Sequence, residues 1–216
     1  MAVPFGRLRL DVGRLIMVPA FAVAVVADFL SLDHGAHPGA AGVLRSLGTV
    51  LALAFYALAI WCYLRRGPAV ATSDSVTAHA AAIAATWLPF VLPLQPGTAP
   101  GQGRQALSDA LLVCGMAWAV WSLRFLDRNM SVLAQARAVV DRGPYRWVRH
   151  PLYVGEIVSS LGIALAANSY AAIGLWLALC GLQAYRALRE EQVLLRALPA
   201  YRSYRSRTAA LLPGVF

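Results

Sequence analysis

Lysine is absent from this 216-residue sequence, and all nineteen basic residues are arginines. Charge is scarce altogether: only 13% of residues are Asp, Glu, Lys or Arg, against 59% hydrophobic, and mean hydropathy is +0.60. Soluble domains carry about a quarter charged residues, so this balance excludes an ordinary water-soluble domain and specifies an integral membrane protein. There are only three cysteines, Cys62, Cys114 and Cys180, each inside an apolar run. None lies near another cysteine or a histidine at ligand spacing, which excludes a zinc site and leaves the thiols as small buried hydrophobes. A cleavable leader is not evident either: GRLRLDVGR precedes the first apolar run and no small-residue cleavage site follows it, so that run reads as a retained span. The net charge of +9 calls for topology before it calls for a nucleic-acid partner, and none is expected.

The fold expected is all-α: four membrane spans, a C-terminal helical hairpin and a cytosolic C-terminal helix. Spans are expected over 15–32, 43–64, 76–94 and 106–126, each near the roughly twenty residues that cross a bilayer core. Two shorter runs, 152–167 and 170–185, are joined only by Asn168–Ser169 and form a tight antiparallel hairpin. A charged helix, a break at Pro199 and an aromatic-basic tail follow. The chain divides into residues 1–104, which supply the N-terminal spans, and residues 105–216, which supply the core with the fourth span and hairpin. With the N-terminus in the cytoplasm, seventeen arginines fall inside and only Arg45 and Arg104 outside. That asymmetry predicts both termini and the stretch around residue 145 on the cytoplasmic side of a bacterial inner membrane.

The chemistry concentrates in Asp141–Glu156, DRGPYRWVRHPLYVGE. Pro144 and Pro151 push their preceding residues out of helical geometry. Between and beside them Tyr145, Arg146, Trp147, Arg149 and His150 offer donors and π-faces to a polar, partly anionic molecule, although a juxtamembrane basic segment with aromatic anchors has the same composition. Arg186, Arg189, Glu190 and Glu191 follow the hairpin; Arg186 and Glu190, four apart, share a helix face and also fit a solvated ion-pair ladder. The hairpin brings this group back beside Arg149 and His150. Glu156, one turn into the first arm, is an intramembrane carboxylate and so a functional candidate. Asp28 and Asp109 read as snorkelling or capping residues, and His79, His34 and His37 as residues without a ligand set.

The run GPYRWVRHPLYVGE, then a hairpin, EE, YRSYRSR and a near-terminal LLP resembles the isoprenylcysteine carboxyl methyltransferases and phospholipid N-methyltransferases, over roughly residues 105–216. That resemblance implies S-adenosylmethionine as cofactor, bound on the cytosolic side, and a lipophilic or lipid acceptor entering from the bilayer. By the same resemblance Tyr145, Arg149, His150, Pro151, Tyr153, Gly155 and Glu191 would contact the cofactor, with Arg186 and Glu190 catalytic beside the acceptor and no metal. The sequence departs from the family pattern at LPAY, one residue short before the YxxY pair, and at Thr208–Ala209 in place of Val-Pro. An activated methyl donor asks an enzyme chiefly for alignment. Its amino-acid end asks for a carboxylate facing the ammonium and an arginine facing the carboxylate.

Two other readings share these residues. An NADPH-dependent membrane reductase of sterol-reductase type would use the arginines for a 2′-phosphate; a non-enzymatic accessory protein would keep the fold alone. For the acceptor, a lateral opening is expected between the fourth span and the hairpin, near Trp118, Trp121, Phe125 and Trp176.

Overall fold

The computed structural model describes residues 12–32 and 39–212. His34, His37 and the proline of LLP therefore lie outside the described residues. Helix α1 covers Val12–Leu32, α2 Ala40–Arg65, α3 Val76–Val91, α4 Gln102–Leu126, α5 Pro151–Ala167, α6 Tyr170–Ala197 and α7 Ala200–Arg205. A 3-10 turn, Leu92–Leu94, extends α3 where Pro93 removes a backbone donor. Four stretches, Gly42–Arg65, Val76–Leu94, Gln102–Asn129 and Tyr170–Ala197, are long and apolar enough to cross a membrane. Gly13–Val26 and Pro151–Ala167 are shorter apolar helices beside them. The protein is an all-helical, polytopic integral membrane protein; among the described residues its sheet is one two-residue ribbon, β1 (Ala71–Thr72) paired antiparallel with β2 (Gln135–Ala136).

The second arm of the hairpin is longer than its sequence suggests. The expected apolar arm ending at 185 and the charged helix after it are one continuous 28-residue rod. Between Tyr185 and Ala197 no glycine or proline intervenes, and Ala, Leu, Arg, Glu and Gln are strong helix formers, so nothing stops propagation. At 1.5 Å per residue the rod spans about 42 Å, enough to cross the bilayer core and still project beyond it. Asn168 makes the reversal possible by adopting the left-handed region (φ 48°) that ends α5.

Helices α4 and α5 pack most tightly. A Cβ on Gly155 would meet Ala119 N and Gly115 O at 2.8 Å, so only glycine lets the backbones approach this closely. In lipid, where apolar burial between helices gains little, such close backbone packing is the main adhesive. Ser108 adds a hydrogen bond from its hydroxyl to Gly162 O at 2.6 Å. On the other face of α4, Met116 and Leu123 pack with Phe21 of α1 and Phe55 of α2 in one apolar cluster. Of the three thiols only Cys62 is buried; Cys114 is exposed on α4, where lipid is as apolar as a protein core.

The loop after α4 is fastened to the end of α2. Val132 N donates to Tyr63 Oη at 2.9 Å, and the Arg66 guanidinium lies 3.9 Å above the Tyr63 ring. The β1–β2 pairing continues this attachment, with Ala134, Ala136 and Val193 clustering beneath it. Both connections at the arginine-rich end are thus held against α6, where they floor the candidate site.

Candidate active site

The 3-10 turn Gly143–Arg146 starts at Gly143, whose φ of +58° suits glycine and whose Cα faces the Phe125 ring. It delivers Tyr145 into the interior and ends just before Pro151 opens α5, where proline's missing donor costs nothing. Residues 148–150 pair with the C-terminal tail, Val148 through a parallel bridge to Ala209. Arg149 N donates to Ala209 O at 2.8 Å and His150 N to Ala210 O at 3.0 Å. Tyr204 Oη donates to Tyr145 O at 2.6 Å. The tail is therefore strapped across the central stretch, joining segments some sixty residues apart.

Beneath the strap lies Glu191, 5% exposed, amid two guanidinium groups and an imidazole. Its Oε1 is 2.6 Å from Arg149 Nε and 3.3 Å from His150 Nε2, and its Oε2 is 3.0 Å from Arg205 Nε. The Arg149 guanidinium also donates through Nη1 to the carbonyls of Arg205, at 3.1 Å, and Thr208. A buried carboxylate this well supplied with donors stays ionised and fixes its partners' orientation.

Two cavities lie on either side of the hydrogen bond between Tyr153 and Glu190. The first, about 450 Å³, is lined by Tyr145, Arg149, His150 and Glu190, by Tyr201 and Tyr204 of α7, and by Asn129, Gln135 and Arg137 of the loop after α4. It joins carboxylate, guanidinium, imidazole and phenol around one space. Burial pushes the phenols of Tyr145, Tyr201 and Tyr204 up, so they remain neutral donors at physiological pH. Tyr201 Oη, buried, has no hydrogen-bond partner among the described residues, as a ligand-facing donor would.

The second cavity, about 790 Å³, lies among the membrane helices and is mainly apolar: Phe21, Phe55, Tyr56, Phe90, Met116 and Leu152 are on its walls. Its few polar groups include Tyr153, Glu156, Ser159 and Arg186. Tyr153 stands between the two spaces. Its hydroxyl donates to Glu190 Oε2 at 2.8 Å, its ring stacks on His150 (5.4 Å, 6°), and the Arg186 guanidinium lies 4.6 Å from the ring centre.

The fold thus brings Tyr145, Arg149, His150, Tyr153, Arg186, Glu190 and Glu191 together. Pro151 and Gly155 are nearby but turned to packing: Pro151 O accepts from Trp118 Nε1 at 2.8 Å, and Gly155 faces α4. Sequence reasoning missed the loop residues Asn129, Gln135 and Arg137, which carry no motif, and Arg205, which the YRSYRSR repeat contains but does not distinguish. It also missed Gln183, buried in the middle of an apolar arm, whose polarity there was the available signal.

The expected lateral opening beside Trp118 and Trp176 is not where the described cavity lies. Trp176 Nε1 donates to Ile157 O at 3.0 Å, and Trp118 stacks with Trp147 and meets Trp121 edge-on. The Gly115–Gly155 contact closes the seam between α4 and α5. The cavity lies instead against α1, α2 and α3, where Phe21 and Phe90 each stack on Tyr56 with ring centroids 5.9 and 6.0 Å apart.

Residues 104–199 match the family model of phospholipid methyltransferases. No curated protein matches the chain by sequence. Among solved structures, the fold is similar to that of the eukaryotic intramembrane Ras methyltransferase ICMT (isoprenylcysteine carboxyl methyltransferase). The TM-score is 0.50 at 17% identity, covering 95% of this chain and 87% of that one. The matched stretch contains every side chain from Arg149 to Glu191 just described, and over it the chain is similar to the phospholipid methyltransferases.

Proposed function

We propose that the protein transfers a methyl group from S-adenosylmethionine to a lipophilic acceptor. The observation that carries this reading is the pair of cavities, one polar and one apolar, separated by the hydrogen-bonded pair Tyr153 and Glu190. The residues present fit the cofactor by type. Glu190 suits an ammonium, Arg149 and Arg137 suit a carboxylate, and the apolar and aromatic wall of Val139, Val140 and Tyr145 suits an adenine. When bound there, the cofactor would supply an activated methyl group, which leaves the protein the work of alignment.

Each chain residue then has a task. Glu191 holds Arg149 and His150 in place and does not itself line the polar cavity, so its part in cofactor binding is positional. Tyr153, fixed by Glu190, His150 and Arg186, divides donor space from acceptor space. Arg186 is anchored by Gln183 Oε1 at 2.9 Å and Val132 O at 3.1 Å, and presents the remainder of its guanidinium to the acceptor side. The apolar cavity excludes water from the transfer and takes the acceptor's hydrocarbon. The seventeen-to-two division of arginines supports a cytoplasmic polar cavity, open to a water-soluble cofactor, while the acceptor arrives through the bilayer.

The test is transfer of a labelled methyl group from S-adenosylmethionine in a membrane lipid extract. Label should appear in the lipid fraction with the wild type and be lost with His150→Ala. Label confined to water-soluble acceptors, or none from any acceptor, overturns the proposal.

A further inference from the structure

Glu156 takes no part in holding the cofactor cavity, yet it is a carboxylate on the wall of the apolar one. Its placement is specific. Gln183, 1% exposed, donates from Nε2 to Glu156 Oε2 at 2.6 Å and accepts from Arg186 Nη1 at 2.9 Å through its own Oε1. The amide therefore clamps one carboxylate oxygen and is itself held by the guanidinium. The other oxygen, Oε1, makes no hydrogen bond among the described residues. Arg186 forms no ion pair with Glu156 among them, because its Nη1 and Nη2 are committed to Gln183 and Val132 O. Arg186 Nε is buried and unpartnered there. Keeping a carboxylate in a membrane-embedded apolar wall is costly and calls for a compensating role.

Resting on the methyltransferase reading, we propose that Glu156 Oε1 is the proton acceptor for the methylated nucleophile, and that the acceptor is a lipophile whose nucleophile bears a proton, an amine, thiol or hydroxyl, rather than a carboxylate. A carboxylate acceptor has no proton to give up at neutral pH and would set a second negative charge against Glu156 in a low-dielectric space. A proton-bearing nucleophile gains from the same group. As the bond from nitrogen, sulfur or oxygen to the methyl carbon forms, the sulfonium–methyl bond breaks and its electron pair stays on sulfur. The proton of the nucleophile passes to Glu156 Oε1 and leaves to water on product exchange. Gln183 keeps Oε2 occupied, so the proton has one destination. Phe21, Phe55, Tyr56 and Phe90 on the facing walls accommodate the hydrocarbon and offer ring faces to a cationic amine.

The test uses the full chain in lipid nanodiscs with methyl-labelled S-adenosylmethionine, a membrane lipid extract, and prenyl amine, thiol and acid probes. Mild alkali releases methanol from methyl esters but not from methylated amines, thiols or ethers. The expected label is alkali-stable, and Glu156→Gln, which keeps the acceptor for the Gln183 amide, lowers its formation by about 100-fold or more, the scale of a lost general base. Without cofactor, the prenyl amine should raise the unfolding temperature of the wild type and not of Glu156→Gln. Alkali-labile label, transfer by Glu156→Gln at the wild-type rate, or no transfer to any proton-bearing acceptor overturns the inference while S-adenosylhomocysteine still binds. Failure of S-adenosylhomocysteine to bind overturns the methyltransferase reading itself.

Discussion

Replacing Glu191 by alanine should unfasten the C-terminal strap before it disturbs the membrane helices. The Arg149 and Glu191 side chains are 8% and 6% exposed and 2.6 Å apart, so their contact is a buried charge-assisted hydrogen bond, of the order of 1.5–3 kcal/mol. The Arg205 contact adds little, because that side chain is 49% exposed and exposed pairs contribute about 0–1 kcal/mol. Removing Glu191 also leaves Arg149 buried without its counter-charge, a loss of about 3–5 kcal/mol where nothing compensates. Here the carbonyls of Arg205 and Thr208 still accept from Arg149, which offsets part of it. A net of about 3 kcal/mol corresponds to roughly 150-fold in the docking equilibrium of the strap. The assay is hydrogen exchange at the amides of Arg149 and His150, whose acceptors are Ala209 and Ala210. Their protection should fall by that factor in Glu191→Ala and change less than about fivefold in Arg205→Ala. Unchanged protection in Glu191→Ala, or equal losses in both variants, would refute the reasoning.

Other perturbations separate the parts of the site. Phe90→Ala should raise the acceptor KM and leave S-adenosylhomocysteine affinity unchanged, whereas Trp121→Ala, outside the apolar cavity, should leave both unchanged; steady-state kinetics and calorimetry decide. Gly155→Leu should prevent α4 and α5 from docking, giving no monodisperse protein in detergent, since even a Cβ meets backbone at 2.8 Å. Tyr204→Phe removes only the 2.6 Å bond to Tyr145 O and should cost about 0.5–1.5 kcal/mol of stability, read from the unfolding midpoint. Cysteines placed singly at Arg45 and Arg142, in a cysteine-free background, should react from opposite faces of sealed vesicles; reaction from one face would contradict the proposed orientation.

Much of this site was legible because hairpin geometry is legible. Asn168–Ser169 leaves no room for anything but a reversal, and a reversal returns Glu190 and Glu191 to Arg149 and His150. The GPY turn and Pro151 likewise fix the entry to α5 locally. What stayed hidden depends on partners distant in sequence. The role of Gln183 follows only from its meeting both Glu156 and Arg186, and the loop after α4 reaches the site because Tyr63 and β1 hold it there. The aromatic residues of α4 and α6 signalled an opening and proved to be packing, since indole donors satisfied by Pro151 O and Ile157 O look the same in a sequence as free ones. The departure at Thr208–Ala209 is tolerated physically: there the strap uses backbone carbonyls, which every residue supplies.

The central claim is that the polar cavity beside His150 and Glu190 holds S-adenosylmethionine. Calorimetric titration of the purified protein in nanodiscs with S-adenosylhomocysteine, and separately with NADPH, tests it most directly. Saturable one-site heat from S-adenosylhomocysteine alone is expected, weakened in His150→Ala by about 1.5–3 kcal/mol, roughly 10- to 150-fold. Saturable heat from NADPH, with none from S-adenosylhomocysteine, would contradict the claim.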